Sequence, residues 1–193
     1  MTIICCPLKN PEYSVTTGRW KPILEATSEP HINDTLFKEP TLNDGAHVWQ
    51  LVKDTKVLDL NSSYSYLLWC DYFSETSIVA KVDEEVVGFV SGFVKPNSPN
   101  TLFIWQVAVA ESQRGKGIAS RMIKQLLSRD VCKNISFIET TITPSNGASQ
   151  HLFKSIARDL SAPLEIFECF SANQFPEKGH EDEQLHQIGP IEQ

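Results

Sequence analysis

The chain has 193 residues, of which 41% are hydrophobic, so its length and composition suit one folded domain with room for a tail. A formal net charge of −7 argues against a protein that binds nucleic acid by broad neutralisation of phosphates. The longest apolar runs, at 86–94 and 102–110, are too short to span a bilayer. We therefore expect neither a nucleic-acid-binding nor a membrane-inserted protein.

The five cysteines include one adjacent pair but no C-x-x-C spacing, which argues against a zinc or redox centre. We expect reduced thiols, with Cys70, Cys132 and Cys169 as small buried apolar residues, and no bound metal. The first eight residues lack the basic and long apolar regions of an export signal. A cytoplasmic protein is the simplest interpretation.

The first third of the chain divides into a tail and the beginning of a domain. Residues 1–34 contain four prolines and no sustained apolar period, which predicts a poorly ordered extension before a domain over 35–193. A short strand at 36–39 precedes a helix that begins at Thr41, where Asp44 is placed as the acid of a capping box. The loop over 57–63 then caps a second helix.

Beyond residue 76 the pattern changes to β-branched and aromatic runs separated by turns, which indicates strands. In chain order we predict three consecutive antiparallel strands at 76–82, 86–94 and 102–110, a helix opening at Gly115 and Gly117, a strand at 135–143, a helix at 146–157, a strand at 164–170 and an edge strand at about 184–188. This order predicts a single mixed α/β domain.

A strand, a glycine-containing loop and a helix follow one another directly over residues 107–119. Gly115 and Gly117 allow close approach of a ligand, and the first N–H groups of the helix favour a pyrophosphate. Arg114 and Lys116 add positive charge within an acidic protein. Neither the P-loop nor the dinucleotide fingerprint fits these residues. Taken alone, the pattern is equally well explained as a glycine turn with solvated basic side chains.

Two motifs together resemble the GCN5-related N-acetyltransferases. Arg114-x-x-Gly117-x-Ala119 is similar to the pyrophosphate loop of that family, and 146–153 is similar to its second motif. The resemblance implies a mixed, mostly antiparallel sheet of the α/β (α+β) class, with splayed fourth and fifth strands and acetyl-CoA as co-substrate in the gap. It implies cofactor contacts at Val107, Ala108, Val109, Arg114, Gly115, Lys116, Gly117, Ile118, Ala119, Asn146 and Phe153.

One position departs from the family pattern. The family often has a tyrosine where this chain has Phe153, and the tyrosine hydroxyl protonates the departing CoA thiolate. Phe153 has no hydroxyl, so water, the substrate amine or another group must supply that proton.

Further stretches at 57–70, 103–109, 139–146 and 180–183 resemble one branch of the family, the L-2,4-diaminobutyrate acetyltransferases of ectoine biosynthesis. The resemblance implies acetylation of the 4-amino group of that diamino acid by a homodimer. An acceptor with two amines and one carboxylate requires acids, a donor for the carboxylate and an apolar wall. Another small-amine acetyltransferase and a non-catalytic acetyl-CoA sensor remain as alternatives.

The candidate residues for the acceptor follow from these stretches. We predict that the acceptor contacts Asp59, Tyr64, Trp105, His180 and Glu183, and that Asp59 and Glu139 are the candidate bases. Trp105 lies two residues before Val107, so we expect both side chains on one face of their strand.

Each candidate also has a structural alternative. Asp59 would serve as a helix cap, Trp105 as a core residue, and the 180–183 segment as a solvated loop or a weak cation site. Alternation along the strand leaves the face of Glu139 undetermined.

Overall fold

The computed structural model describes residues 35–176 and 178–192, so the predicted extension over 1–34 lies outside the described residues. The helices and strands are β1 (Leu36–Lys38), α1 (Gly45–Thr55), α2 (Ser63–Asp71), β2 (Ile78–Val82), β3 (Glu85–Lys95), β4 (Ser98–Val109), α3 (Ile118–Leu127), β5 (Phe137–Ile142), α4 (Gly147–Asp159), β6 (Leu164–Phe170) and β7 (Glu183–Ile188). Across the part of the chain that the structure describes, no helix is long and apolar enough to cross a membrane.

The strands form a seven-stranded sheet in the order β1-β2-β3-β4-β5-β7-β6. All neighbouring strands are antiparallel except β4 and β5, which are parallel. The predicted mixed, mostly antiparallel sheet is therefore confirmed. The three antiparallel strands expected from the patterned runs are β2, β3 and β4.

Two apolar clusters cover the two faces of this sheet. One cluster joins the strands to α3 and α4, where Met122, Ile123 and Leu126 are fully buried. The other joins the strands to α1 and α2 through residues such as Val48 and Tyr66. We call these the α3–α4 face and the α1–α2 face.

The predicted capping box is confirmed, on the 3-10 turn Leu42–Asp44 that leads into α1. The backbone N–H of Thr41 donates to Asp44 Oδ2 at 2.9 Å, and Lys81 Nζ lies 2.6 Å from Asp44 Oδ1. Burial acts to raise the pKa of Asp44, but hydrogen bonds from Lys81 and Thr41 outweigh burial and hold it below its ordinary value. A charged Asp44 thus attaches α1 to β2.

The splayed pair of strands is also present. β4 pairs with β5 only from Thr101 to Phe103, although β4 continues to Val109. A gap therefore opens between the strands toward their carboxyl ends, where the two sequence motifs lie.

The prediction that the last strand lies at an edge is wrong. β7 lies between β5 and β6, and β6 is the edge strand. The burial explains this order, because His186 and Ile188 of β7 are buried, whereas every residue from Glu165 to Phe170 of β6 is exposed.

The expectation that Trp105 and Val107 share a face is also wrong. Ser91 pairs with Gln106 while Gly92 pairs with Ile104, so Trp105 is an extra residue in a β-bulge. A bulge shifts the alternation by one residue. Val107 consequently packs on the α3–α4 face, and Trp105 contacts Trp69 of α2 on the α1–α2 face.

Two of the three cysteines expected inside are buried. Burial raises the pKa of the Cys70 thiol to about 12 and that of Cys132 to about 11. Cys169 is exposed on β6, contrary to the expectation, because β6 is the edge strand.

Candidate active site

The gap beside β4 presents free backbone groups. The N–H of Ala110 donates to the Val87 carbonyl of β3 at 2.8 Å. Because backbone groups of successive strand residues point in opposite directions within the sheet, those of Val109 and Val107 point away from β3, into the gap. Among the described residues, no strand pairs with β4 beyond Phe103 on this side. An extended ligand can therefore bond to β4 as an added strand.

The glycine loop lies at the end of this gap. Gly115 and Gly117 have φ values of +75° and +73°, and Gly117 directly precedes α3. A Cβ at either position would meet nothing within 4 Å, so backbone conformation and not packing favours glycine here. Arg114 and Lys116 flank Gly115 in the loop before α3, and Lys116 Nζ donates to Gln113 Oε1 at 2.9 Å. The loop suits a pyrophosphate, as the sequence predicts.

The second motif begins α4 on the other side of the gap. Asn146 caps this helix, because its Oδ1 accepts a hydrogen bond from the Ser149 N–H at 3.1 Å. Phe153 is only 3% exposed and packs in the α3–α4 cluster. Asn146 therefore stabilises the beginning of α4, independently of any contact with a cofactor. Phe153 contributes apolar packing and has no group that can donate a proton.

The loop between α1 and α2 brings Asp59 to β4. Ser62 is the N-cap of α2, since its Oγ accepts from the Ser65 N–H, so the cap interpretation of Asp59 does not hold. The side chain of Asp59 is exposed, and its backbone carbonyl accepts from Gln106 Nε2 at 2.8 Å. The carboxylate is thus available to a ligand and lies beside the Trp105 bulge.

Two aromatic side chains are unusually exposed near this loop. Trp105 is 51% exposed and contacts Trp69 edge to face, with ring centroids 5.1 Å apart. Tyr64 is 66% exposed in the first turn of α2. The core interpretation of Trp105 is therefore wrong, and both rings can form a wall for a short carbon chain.

Glu139 is buried on β5, and its face is now determined. It pairs with Phe103 of β4, whose ring contacts Phe93 of the α1–α2 cluster, so Glu139 lies on the α1–α2 face. Lys95 Nζ lies 2.6 Å from Glu139 Oε2, and Gln187 Nε2 donates to Oε1 at 2.8 Å. Each carboxylate oxygen of Glu139 thus already has one partner within the protein and keeps a lone pair for a further hydrogen bond.

The segment between β6 and β7 is fastened to the β5–α4 turn. Ser145 donates to Glu181 through both its N–H and its hydroxyl, and Asp182 accepts from the Ala172 N–H at 2.7 Å. The His180 ring stacks on Phe175 with centroids 3.7 Å apart. The adjacent acids thus bind protein groups, and residues 35–176 and 178–192 contain no group of three side chains suited to a metal ion.

Comparison with known proteins agrees with this geometry. The model of the acetyltransferase (GNAT) family matches residues 45–157, which include the gap, the glycine loop and α4 up to Ala157. The chain belongs to the GNAT acetyltransferase family. Solved structures of the same fold extend to distant proteins, such as Ard1 from Thermoplasma volcanium, with a TM-score of 0.65 at 17% identity.

Some GNAT relatives are much more similar. The L-2,4-diaminobutyric acid acetyltransferase of Virgibacillus pantothenticus is 57% identical over 152 residues, covering 79% of this chain and 96% of that protein. The enzyme of the same name from Marinococcus halophilus is 50% identical, covering 83% and 92%. The structure of diaminobutyrate acetyltransferase EctA from Paenibacillus lautus, in complex with L-2,4-diaminobutyric acid and coenzyme A, is 44% identical with a TM-score of 0.79, covering 82% and 96%.

The GNAT scaffold brings several predicted residues together. Asp59 and Trp105 are linked through Gln106, which follows Trp105 in β4. Glu183 and Gln187 are four residues apart on β7 and therefore share the α1–α2 face with Glu139. His180 is held by Phe175 and by the Glu181 carbonyl instead of by these residues.

Two residues near this site were not predicted from the sequence. Gln106 is a buried amide within an apolar strand, and this polar interruption was the available signal. Lys95 resembled a turn residue, and its partner Glu139 is 44 residues away in the chain.

A cavity of about 480 Å³ lies between α1, the beginning of β3 and the end of β4. Asp54, Glu84, Glu85 and Glu111 line it. Such an acidic surface repels phosphates, so this cavity does not suit the nucleotide part of a CoA molecule.

Proposed function

We propose that this protein transfers the acetyl group of acetyl-CoA to the 4-amino group of L-2,4-diaminobutyrate. The product would be N4-acetyl-L-2,4-diaminobutyrate, an intermediate in the biosynthesis of the osmoprotectant ectoine. The observation that carries this proposal is the similarity to the Paenibacillus lautus enzyme, whose complex contains both diaminobutyric acid and coenzyme A. The exposed Asp59 beside Trp105 supports it, since a carboxylate next to an aromatic wall suits an aliphatic ammonium.

The acceptor can be placed by its chemistry. The Asp59 and Glu183 carboxylates attract its ammonium groups, while Trp105 and Tyr64 cover its methylene groups. We assign Lys95 as the donor for its carboxylate, because the Lys95 side chain is 35% exposed and its Nζ is held by Glu139 on the α1–α2 face. In this arrangement Glu139 orients Lys95 and lowers the net charge at that end of the site.

The chemical step requires a neutral amine. An alkylammonium with a pKa of about 10 must lose a proton before its lone pair attacks the thioester carbonyl. Asp59 receives this proton directly or through water in our proposal, with Glu139 as the alternative. The tetrahedral intermediate then collapses with cleavage of the C–S bond. Since Phe153 cannot donate a proton, the thiolate is protonated by water or by the amine that has just reacted.

A panel of acceptors tests this function. Release of CoA from acetyl-CoA is measured with L-2,4-diaminobutyrate, ornithine and lysine, and the product is examined by NMR. We expect the highest kcat/KM with diaminobutyrate and acetylation at N4. A much higher kcat/KM with an amine of another class would show that this protein is a different small-amine acetyltransferase. Binding of acetyl-CoA without CoA release on any acceptor would show a sensor.

The proposal includes a cytoplasmic homodimer. The edge strand β6 exposes three large apolar side chains, Ile166, Phe167 and Phe170, at 44–49% each. An apolar edge strand is a favourable surface for pairing with a second chain. Sedimentation equilibrium at micromolar concentration should give a dimer, and Phe167→Lys should shift it toward monomer with an unchanged fold. A wild-type monomer would contradict the dimer.

A further inference from the structure

Gln106 connects β4 to the loop that carries Asp59. Its side-chain Nε2 donates to the Asp59 carbonyl at 2.8 Å, and its Oε1 accepts from the Tyr66 hydroxyl at 3.3 Å. The Tyr66 oxygen in turn accepts from the Asn61 N–H at 3.4 Å. Gln106 is 7% exposed and Tyr66 is fully buried, so water does not readily replace these bonds.

The direction of the amide is determined by its partners. A carbonyl can only accept a hydrogen bond, so the NH₂ group of Gln106 must face Asp59 and its oxygen must face Tyr66. The network therefore reaches the loop at residues 59 and 61, through backbone atoms in both cases.

The loop has little else to hold it in place. Val57 is 78% exposed and Leu60 is 43% exposed, and of the loop residues 56–61 only Leu58 packs against the α1–α2 cluster. The Asp59 side chain takes no part in the network, which binds the carbonyl of the same residue. Backbone anchoring and carboxylate chemistry can therefore be separated by mutation.

The bulge explains why Gln106 can reach this loop. The extra residue Trp105 places the side chain of Gln106 on the α1–α2 face, while Val107 continues on the other face beside the gap. Gln106 thus lies in β4 between Trp105, which belongs to the proposed acceptor wall, and Val107, whose backbone faces the proposed cofactor gap.

We propose that Gln106 is a positioning residue for acetyl transfer: its amide, braced by Tyr66, holds the Asp59 loop so that the carboxylate meets the acceptor ammonium. The inference rests on the proposed function and deepens it. Gln106 contacts neither acceptor nor cofactor in this role. Its effect reaches the reaction through the position of Asp59.

Two substitutions separate the two halves of the amide. Gln106→Glu keeps the shape and still accepts from Tyr66, but it cannot donate to the Asp59 carbonyl. Gln106→Leu removes both bonds without adding charge. Each should lower kcat/KM for diaminobutyrate about tenfold or more, mainly through a higher acceptor KM, with the acetyl-CoA KM changed by about twofold or less. The matched control is Gln50→Leu, because Gln50 is an exposed glutamine that bonds to Asp54 on α1.

A double-mutant cycle with Asp59→Asn decides whether Gln106 acts through Asp59. We expect Gln106→Leu to cost about tenfold in the wild-type background and about twofold or less when residue 59 is already asparagine. Equal costs in both backgrounds, or wild-type kinetics for Gln106→Leu, would overturn the proposal. A wild-type protein without turnover of diaminobutyrate would instead overturn the proposed function.

Hydrogen exchange provides a readout that does not depend on activity. Amides at 57–62 should exchange faster in Gln106→Leu than in wild type, and at the wild-type rate in Asp59→Asn. Unchanged exchange in Gln106→Leu would show that the amide does not hold the loop, and would overturn the proposal even if kinetics changed.

Discussion

Replacement of Asp59 by asparagine is the most direct test of the acceptor site. The change keeps the size of the side chain but removes its charge and basicity. The backbone bond from Gln106 to the Asp59 carbonyl remains, and the α2 cap is Ser62, so we expect the free energy of unfolding to change by less than about 0.5 kcal/mol. A hydrogen bond to a charged group contributes about 1.5–3 kcal/mol. Loss of about 2.7 kcal/mol lowers kcat/KM for the acceptor roughly a hundredfold.

The assay measures kcat/KM for L-2,4-diaminobutyrate, KM for acetyl-CoA and the melting temperature of the same variant. Acetyl-CoA KM should be unchanged, because the glycine loop belongs to a different element from Asp59. Ser62→Ala is the matched control, since it removes the actual cap: we expect about 1 kcal/mol less stability and near-normal kinetics. Normal kinetics in Asp59→Asn would refute the assignment of Asp59, and a clear loss of its stability would refute our reasoning about the cap.

Three further measurements test other parts of the site and fold. Gly117→Val should raise the acetyl-CoA KM about tenfold or more, because a β-branched residue disfavours φ +73° and would shift the loop backbone proposed to hold the pyrophosphate. An unchanged KM would remove this loop from the cofactor site. Ornithine, longer by one methylene than diaminobutyrate, should show kcat/KM lower by about tenfold or more in the same coupled assay, and equal values would contradict a length-matched pocket. Asp44 has a lowered pKa, so its contribution to stability is complete above its ordinary pKa and is lost as the pH falls through its pKa in the folded protein. Below about pH 4, the free energy of unfolding measured with denaturant should therefore fall more steeply with pH in wild type than in Asp44→Asn. Parallel pH dependence in the two proteins would contradict this role.

The order of elements was predictable because each element has a local cause. The β-branched runs at 78–82 and 85–95, the Thr41 capping box and the glycines before α3 all act within a few residues of the structure they produce. The splayed strands were expected from the family resemblance and not from periodicity. Family motifs and local chemistry together therefore covered the cofactor side of the site.

The positions of side chains across the sheet were not predictable in the same way. The bulge at Trp105 depends on how β4 pairs with Ser91 and Gly92 of another strand, and nothing local to Trp105 marks it. Glu139 likewise finds Lys95 and Gln187 at separations of 44 and 48 residues. The order of β6 and β7 depends on which strand leaves its residues exposed, which is a property of the assembled sheet.

In the proposed function, the bulge also explains how β4 can contact both acceptor and cofactor. If β4 alternated strictly from Trp105 to Val107, both side chains would lie on one face, and Val107 packs in the α3–α4 cluster beside the gap. With the bulge, Trp105 and Gln106 both lie on the α1–α2 face, where Trp105 contacts Trp69 and Gln106 bonds to the Asp59 loop. The backbone at Val107 meanwhile remains unpaired toward the gap. Deletion of Trp105 removes both the ring and the bulge, whereas Trp105→Ala removes the ring and keeps the bulge, so the deletion should lower acceptor kcat/KM much further. Equal losses of acceptor kcat/KM in these two variants would show that the ring alone matters and that the bulge does not.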